Sequence, residues 1–244
     1  MSAVDNLAGT PKDEDTSEMT MKEGLDGRAV LVFGAAGALG AGLTAAFAAS
    51  GALVTGADRF MPADGTATEG VTYQTVDVLD DDALRALFDS RPAPWAVINT
   101  VGGFAPRRPL AELDAGELTG QLALNLVTAT LITKHALRVM QPSGQGRIVH
   151  TASRAAVATA SNGFPYSVSK LGVLHLVSMA ADEVRGTGIT VNCVVPTIID
   201  TPANRAAMPN ADHDAWPKVH HIARSYLYLA SPEAHLVNGA AVPV

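Results

Sequence analysis

The chain has 244 residues, of which 48% are hydrophobic and 17% are charged, and its formal net charge is −7. This length and apolar content are sufficient for one α/β domain with a large core. The negative charge argues against a nucleic-acid or anionic-lipid partner, because such surfaces need clustered basic residues. The single cysteine, Cys193, lies in an apolar run. It excludes an intramolecular disulfide and predicts a buried thiol in a reducing compartment.

The first 26 residues are acidic and poor in large apolar side chains. They predict a flexible tail in front of one domain that spans residues 27–244. The sequence contains no uninterrupted apolar run long enough for a membrane helix, and its amino terminus lacks the basic-then-apolar pattern of a signal peptide. We therefore expect a cytoplasmic protein with a small-molecule substrate and without a membrane partner.

Short β-rich runs alternate with longer Ala- and Leu-rich stretches, and their interiors are apolar on both faces. This pattern predicts an α/β fold with a single doubly wound, Rossmann-type parallel sheet of about seven strands and helices on both faces. The segment 196–219 is irregular and long enough to form a substrate lid. The predicted strands are Arg28–Phe33, Leu53–Ala57, Val71–Val76, Trp95–Thr100, Arg147–Ala152, Ile189–Val195 and Ala240–Val244. The predicted helices are Leu39–Ser50, Asp81–Ser90, Ala115–Met140, Tyr166–Arg185 and Ile222–Ala230.

A glycine-rich turn joins the first predicted strand to the first predicted helix. Its glycines have the spacing G-x-x-G-x-x-G. Gly34 would allow the tight turn, Gly37 the close approach of a pyrophosphate, and Gly40 close packing of helix on strand. Ala38, Leu39 and Gly40 would present free N–H groups and the positive end of the helix dipole to that group. The turn predicts a dinucleotide site, and a purely structural turn is the alternative.

Asp58 ends the second predicted strand, about twenty residues beyond the turn, where dinucleotide-binding folds carry an acidic residue. Its carboxylate would accept both hydrogen bonds from the adenosine ribose diol and would repel a 2′-phosphate. This favours NAD over NADP. The neighbouring Arg59 keeps NADP open, because a guanidinium binds phosphate, and a solvated turn aspartate is the alternative.

Tyr166 and Lys170 lie four residues apart at the start of a predicted helix, which places them on one helix face. A phenol ordinarily titrates near pH 10, but a nearby ammonium and an oxidised nicotinamide both favour the phenolate. Tyr166 would then exchange a proton near neutral pH. Taken alone, this pair is also typical of an ordinary surface helix.

Several motifs together resemble the short-chain dehydrogenase/reductase family, from about residue 27 to the end of the chain. They are the glycine turn, Asn99-Thr100-Val101-Gly102-Gly103 after the fourth strand, Asn125, Ser153 after the fifth strand, and Tyr166 with Lys170. Ser153 precedes Tyr166 by thirteen residues, the spacing usual in the family. The resemblance implies an NAD(H)-dependent oxidoreductase that interconverts a secondary alcohol and a ketone.

The resemblance also implies a role for each residue of the catalytic set. Ser153 would stabilise charge on the substrate oxygen, and Tyr166 would exchange the proton. Lys170 would bind the ribose hydroxyls and lower the pKa of Tyr166. Asn125 would anchor a water between Lys170 and solvent, although it could equally satisfy a neighbouring backbone group.

Further positions along the cofactor follow from the same resemblance. Asp77 would place its carboxylate at the adenine amino group, and helix initiation is its alternative role. Thr201, in the lid, would contact the nicotinamide amide or the pyrophosphate. The other implied cofactor-binding residues are Val78, Asn99, Gly102 and Pro196, with Asn99 and Gly102 on the adenosine side.

Three departures from the common family pattern resemble the dihydropteridine reductase branch. They are the glycine spacing, the segment Asn99–Phe104, and the segment Asp200–Asp212 that follows Pro196-Thr197. Ser153 departs from that branch, which reduces a quinonoid pterin without a catalytic serine. We therefore expect alcohol/ketone chemistry, with an NADH-dependent pterin reductase as the first alternative. A catalytically silent dinucleotide sensor is the second, and the retained Tyr166 argues against it.

The remaining polar residues carry weaker signals. The seven histidines show no metal-ligand spacing, so no metal is predicted, and His150 is expected to be packed in the core. Arg107, Arg108 and Arg154 lie near the expected ligand edge and suggest an anionic substrate, with solvated surface arginines as the alternative. The two long helices carry apolar residues on more than one face. By resemblance, these faces imply a homodimer or homotetramer.

Overall fold

Parallel strands form the middle layer of the molecule. The computed structural model describes residues 24–104, 108–158 and 163–244. Within them, seven strands pair in parallel in the order β3-β2-β1-β4-β5-β6-β7. The strand order reverses between β1 and β4, which creates the switch point where ligands bind in such sheets. The strands are β1 (Ala29–Phe33), β2 (Leu53–Asp58), β3 (Thr72–Thr75), β4 (Ala96–Asn99), β5 (Gln145–Thr151), β6 (Gly188–Val195) and β7 (Ala241–Pro243).

Helices cover both faces of this sheet, which confirms the predicted doubly wound fold. Their apolar sides pack on two clusters that alternate along each strand. In β1, Leu31 and Phe33 belong to one cluster, and Val30 and Val32 belong to the other. Cys193 is a buried free thiol, as predicted. The helices are α1 (Ala38–Ala49), α2 (Asp81–Asp89), α3 (Ala115–Gln121), α4 (Thr128–Met140), α5 (Phe164–Glu183), α6 (Pro202–Ala207) and α7 (Val219–Ala230).

The predicted helix Ala115–Met140 is not a single α-helix. A π-helical segment, Leu122–Val127, separates α3 from α4. Inside it, the Asn125 side-chain amide donates to the Gln121 carbonyl at 3.2 Å. In an α-helix that carbonyl accepts from the backbone N–H four residues later. The side chain therefore competes with the backbone, and the local widening follows from this competition.

Two predicted boundaries shift in the structure. Leu25, which the predicted tail included, is fully buried, so the packed domain begins before residue 27. Residues 1–23 of that tail lie outside the described residues. The lid is not wholly irregular, because it contains α6 and a 3₁₀ turn at His213–Ala215. Among the described residues, the structure has no helix with both the length and the apolar character that crossing a bilayer requires.

Candidate active site

The glycine turn lies at the switch point, between the carboxyl ends of β1 and β4. Gly34 has φ +80°, and a Cβ atom there would come 2.4 Å from the Thr100 hydroxyl. A Cβ on Gly40 would come 2.0 Å from the Gly34 carbonyl oxygen. Real side-chain atoms do not approach this closely. Packing inside the protein therefore already requires glycine at both positions.

Gly37 is different, because space is open beside it. Among the described residues, a Cβ there would meet only the Gly34 carbonyl oxygen, at 3.3 Å. Gly37 is also the N-cap of α1, and the part of the chain that the structure describes offers it neither a side-chain cap nor an acidic first-turn residue. The first bond within the helix runs from the Ala41 N–H to the Gly37 carbonyl at 2.8 Å. The N–H groups before it and the positive helix end fit a phosphate.

Asp58 lies across the same crevice, which is lined by Gly34, Gly37, Asp58, Arg59, Phe60, Val76, Val78, Thr100, Val101, Gly102 and Leu124. Its carboxylate accepts the Ala36 N–H at 3.0 Å and the Phe60 N–H at 3.2 Å. These bonds orient the carboxylate and leave further lone pairs for ribose hydroxyls. The guanidinium of Arg59 lies 5.9 Å from the Phe60 ring centre. The donor and acceptor set therefore fits a dinucleotide.

Asp77 and Val78, two of the predicted cofactor-binding residues, differ in the structure. Val78 lines the crevice. The Asp77 carboxylate accepts the Leu79 N–H at 3.0 Å in a local turn. The alternative role for Asp77, helix initiation, is wrong, because Asp80 caps α2 by accepting the N–H groups of Asp82 and Ala83.

Asn99, the last residue of β4, orients the loop that follows this strand. Its side-chain oxygen accepts the Val101 N–H at 3.0 Å, and its amide group lies 3.1 Å from His150 Nδ1. Asn99 is only 3% exposed. Both polar ends of the Asn99 side chain are thus used internally, and the place of Asn99 on the adenosine side stays a prediction. Burial lowers the pKa of His150 to about 3, and this histidine is packed in the core as predicted.

Asn125 holds the next residues of the same loop. Its side-chain oxygen accepts the Gly103 N–H, and its amide donates to the Gly103 carbonyl, both at 3.1 Å. A Cβ on Gly102 would come 2.6 Å from the Asn125 side-chain oxygen and 2.9 Å from Lys170 Nζ. The loop therefore lies directly against the lysine. Asn125 satisfies a neighbouring backbone, the alternative role, and the water relay stays a prediction.

Tyr166 and Ser153 meet at the carboxyl end of β5. The Ser153 side chain lies near enough to the phenol to affect its pKa, and the Ser153 oxygen accepts the Ala155 N–H at 3.2 Å. Burial raises the pKa of Tyr166, and the Ser153 hydroxyl opposes that rise. The expected lowering is therefore not present in the protein alone, because removal of water outweighs the nearby polar groups. The phenol is protonated at neutral pH.

Lys170 lies one turn along α5 from Tyr166 and is 4% exposed. Its ammonium donates to the Thr151 backbone carbonyl at 2.9 Å. Burial lowers the pKa of Lys170 to about 8. The lysine is thus a buried cation one helical turn from Tyr166, next to Gly102 of the crevice.

The predicted lid begins close to Ser153. The Pro196 carbonyl accepts the Arg154 N–H at 3.0 Å, directly after Ser153. The Thr201 hydroxyl oxygen accepts the Asn204 N–H at 3.2 Å and so caps α6, which leaves its own proton to donate. Of the three arginines, Arg107 lies outside the described residues, and Arg108 pairs with Glu117 at 2.8 Å.

Some crevice residues carried no motif signal. Phe60 and Leu124 line the crevice although the sequence patterns did not mark them as cofactor contacts. The one available signal for Phe60 was its position, two residues after the end of β2. Leu124 lies in the π-helical segment, which the sequence pattern did not predict. No group of three or more potential metal-ligating side chains occurs in residues 24–104, 108–158 and 163–244.

Comparisons with known proteins identify the family. A family model described as enoyl-(acyl carrier protein) reductase matches residues 34–244. The chain is 32% identical to cis-4-hydroxycyclohexanecarboxylate dehydrogenase of Sinomonas cyclohexanicum, with 92% of this chain and 97% of that protein covered. It is 31% identical to borneol dehydrogenase of Lavandula x intermedia, with 90% of each covered.

A solved structure gives the same result for the fold. A short-chain dehydrogenase/reductase from Burkholderia xenovorans superposes with a TM-score of 0.83 at 28% identity, covering 90% of this chain and 95% of that one. Relatives by sequence and by structure thus agree over the length that carries the crevice, Ser153 and Tyr166. This protein is an enzyme of the short-chain dehydrogenase/reductase family.

Proposed function

We propose that this enzyme interconverts a secondary alcohol and a ketone with NAD(H), and that Tyr166 exchanges the proton. The observation that carries the proposal is the nearness of the Ser153 side chain to the Tyr166 phenol, with the buried Lys170 one helical turn away. The similarity to relatives named as dehydrogenases of hydroxyl compounds supports it.

The residues of the crevice fit a nicotinamide dinucleotide. The first turn of α1 would hold the pyrophosphate, and Asp58 would hold the adenosine ribose. Lys170 would bind the ribose next to the nicotinamide. The cofactor, when bound, supplies or takes up the hydride. A carboxylate at Asp58 favours NAD over NADP, because a 2′-phosphate would bring a second negative charge to the same place.

The protein's own groups account for the proton. In the reduction direction, the Tyr166 phenol donates its proton to the substrate oxygen. Ser153 accepts the Ala155 N–H and therefore keeps its own proton to donate to that oxygen. The ammonium of Lys170 stabilises the phenolate that remains. In the oxidation direction, the same groups act in reverse.

The proposal is tested with purified protein, NADH and a panel of cyclic and acyclic ketones. We expect oxidation of NADH with at least one ketone, and reduction of NAD by the corresponding alcohol. Tyr166→Phe should keep its affinity for NADH and lose turnover by about 100-fold. Tyr228→Phe, on α7, is the matched control. Undiminished turnover of Tyr166→Phe would contradict the mechanism.

The same assay separates the alternatives. Reduction of a quinonoid dihydropterin without reduction of any ketone would support the dihydropteridine reductase branch. Binding of NADH without turnover of either would support a sensor.

We also propose a homodimer or homotetramer, supported by Leu171 and Met179 on α5, which are 50% and 61% exposed. Light scattering tests the assembly, and the cytoplasmic location stays a prediction.

A further inference from the structure

Among the residues that the structure describes, the acceptor for the Lys170 ammonium is one backbone carbonyl. The ammonium donates to the Thr151 oxygen at 2.9 Å, and the lysine is 4% exposed. A buried ammonium is costly unless it is hydrogen-bonded. The place and direction of the Thr151 carbonyl therefore determine where the ammonium rests. Thr151 also lies two residues before Ser153, on the same stretch of backbone.

The Thr151 side chain is held from two directions. Its hydroxyl oxygen lies 2.8 Å from the Asn99 carbonyl oxygen and 2.6 Å from the Tyr226 phenol oxygen. A threonine hydroxyl has one proton, and a carbonyl only accepts. The Thr151 proton therefore goes to Asn99, and the Tyr226 phenol donates to Thr151. The direction of both hydrogen bonds follows from this count.

Tyr226 belongs to the opposite face of the sheet. It is fully buried on α7, in the cluster that contains Val30 and Val32, whereas α5 packs on the other cluster. Burial raises the pKa of Tyr226, so the phenol keeps its proton and remains a donor. Packing within an apolar cluster fixes the ring, and the ring fixes the hydroxyl. Helix α7 also follows the lid directly, beginning at Val219 after Lys218.

We infer that Tyr226 is a positioning residue for Lys170, acting through Thr151 from the far side of the sheet. The Tyr226 hydroxyl donates to the Thr151 hydroxyl at the end of β5. The Thr151 carbonyl in turn accepts from the Lys170 ammonium. The role differs from that of Tyr166, because Tyr226 exchanges no proton with substrate. The inference rests on the proposed function where kcat is the measured quantity. Measurement of the Lys170 pKa does not depend on turnover.

The direct measurement is the pKa of Lys170 by NMR in protein labelled with ¹³C-lysine. The chain has five lysines, and the Lys170 signal is identified by its loss in Lys170→Arg. Tyr226→Phe removes only the phenol oxygen. We expect a lower Lys170 pKa in this variant, because a less constrained carbonyl stabilises the ammonium less. Two other titratable groups, His150 and Cys193, interact electrostatically with Lys170. Both residues are still present in the Tyr226→Phe variant.

Turnover supplies the second readout. We expect kcat of Tyr226→Phe to fall about fivefold, the size of one hydrogen bond, with little change in KM. Thr151→Val should lose at least as much, because it also removes the bond to the Asn99 carbonyl, and Thr151→Ser should keep wild-type values because it keeps the hydroxyl. The double variant Tyr226→Phe/Thr151→Val should lose no more than Thr151→Val alone. Tyr228→Phe, two residues away on α7, is the matched control.

The outcomes separate this inference from the proposed function. An unchanged Lys170 pKa in Tyr226→Phe, or additive losses in the double variant, would overturn the positioning role while leaving the proposed function intact. A lowered pKa in a protein that turns over no alcohol or ketone would support the positioning role and contradict the proposed function. If Tyr226→Phe does not fold, the comparison of Thr151→Val with Thr151→Ser decides the question alone.

Discussion

The rings of Phe104 and Tyr166 pack edge to face, with centroids 5.0 Å apart and planes inclined by 74°. Phe104 is nevertheless 57% exposed. Its ring therefore contacts the Tyr166 phenol on one side and is open to solvent on the other. Asn125 holds the preceding residue, Gly103, by two hydrogen bonds. Phe104 is thus a fixed apolar surface beside the place where we expect the substrate oxygen.

This relationship predicts that Phe104 restricts substrate size. Phe104→Ala should shift the ratio of kcat/KM for a bulky ketone over a compact one by roughly tenfold toward the bulky ketone, because the variant opens space beside Tyr166. Paired ketones assayed under identical conditions measure the shift. Phe60→Ala, which alters an exposed ring on the cofactor crevice, is the control. An unchanged ratio would show that Phe104 does not limit the substrate.

Asp58 should determine the preference for NAD. Loss of its charged hydrogen bonds in Asp58→Ala should weaken NADH binding by about tenfold or more. NADPH should bind as well as before or more tightly, because the repulsion of the 2′-phosphate is removed and Arg59 remains. Fluorescence titration with each nucleotide measures both affinities. Asp64→Ala, at an exposed aspartate, is the control, and a parallel loss for both nucleotides would contradict the assignment.

The glycines of the turn should separate into a folding role and a binding role. A Cβ at Gly40 would overlap the Gly34 carbonyl, so Gly40→Ala should lower the free energy of unfolding by about 2 kcal/mol. Gly37→Ala has more room and should change stability less, while it weakens NADH binding by placing a methyl group where the pyrophosphate approaches. Denaturant unfolding and nucleotide titration measure the two effects. If Gly40→Ala and Gly37→Ala changed the free energy of unfolding and the NADH affinity by equal amounts, the separation into a folding and a binding role would be contradicted.

Asp81 predicts an acid-sensitive contact between α2 and α4. Its hydrogen bonds with Lys134 and His135 lower the pKa of this carboxyl to about 2. A carboxyl whose pKa is lower in the folded state stabilises the protein above its ordinary pKa, and this stabilisation is lost as pH falls from about 4 toward 2. Asp81→Asn should therefore be less stable than wild type at pH 6, and the difference should shrink at pH 3.

Denaturant unfolding at the two pH values measures this difference. Asp82→Asn is the matched control, because Asp82 is highly exposed and pairs only locally with Arg85. The Asp81 side chain is itself 38% exposed, so solvent weakens the effect. If the stability difference between wild type and Asp81→Asn grew on acidification, the predicted role of the Asp81 contact would be contradicted.

Amino-acid patterns were sufficient to predict the fold and to indicate the candidate site residues. Apolar runs and the glycine spacing were enough to predict the seven strands, the turn at Gly34 and the helix after it. Hydrophobic periodicity and turn preferences are local properties, so they can be read from neighbouring residues. The spacing of Ser153, Tyr166 and Lys170 is local too, which is why the amino-acid sequence is enough to indicate the family.

The tertiary structure alone decided how these residues are held. Thr151 and Tyr226 are 75 positions apart, and neither belongs to a motif. The internal use of Asn99, the π-helical segment at Asn125 and the raised pKa of Tyr166 were likewise absent from the pattern. Hydrogen-bond partners and pKa values depend on which groups burial brings together from distant parts of the chain. For that reason the residues that position Lys170 become visible only once both faces of the sheet are in place.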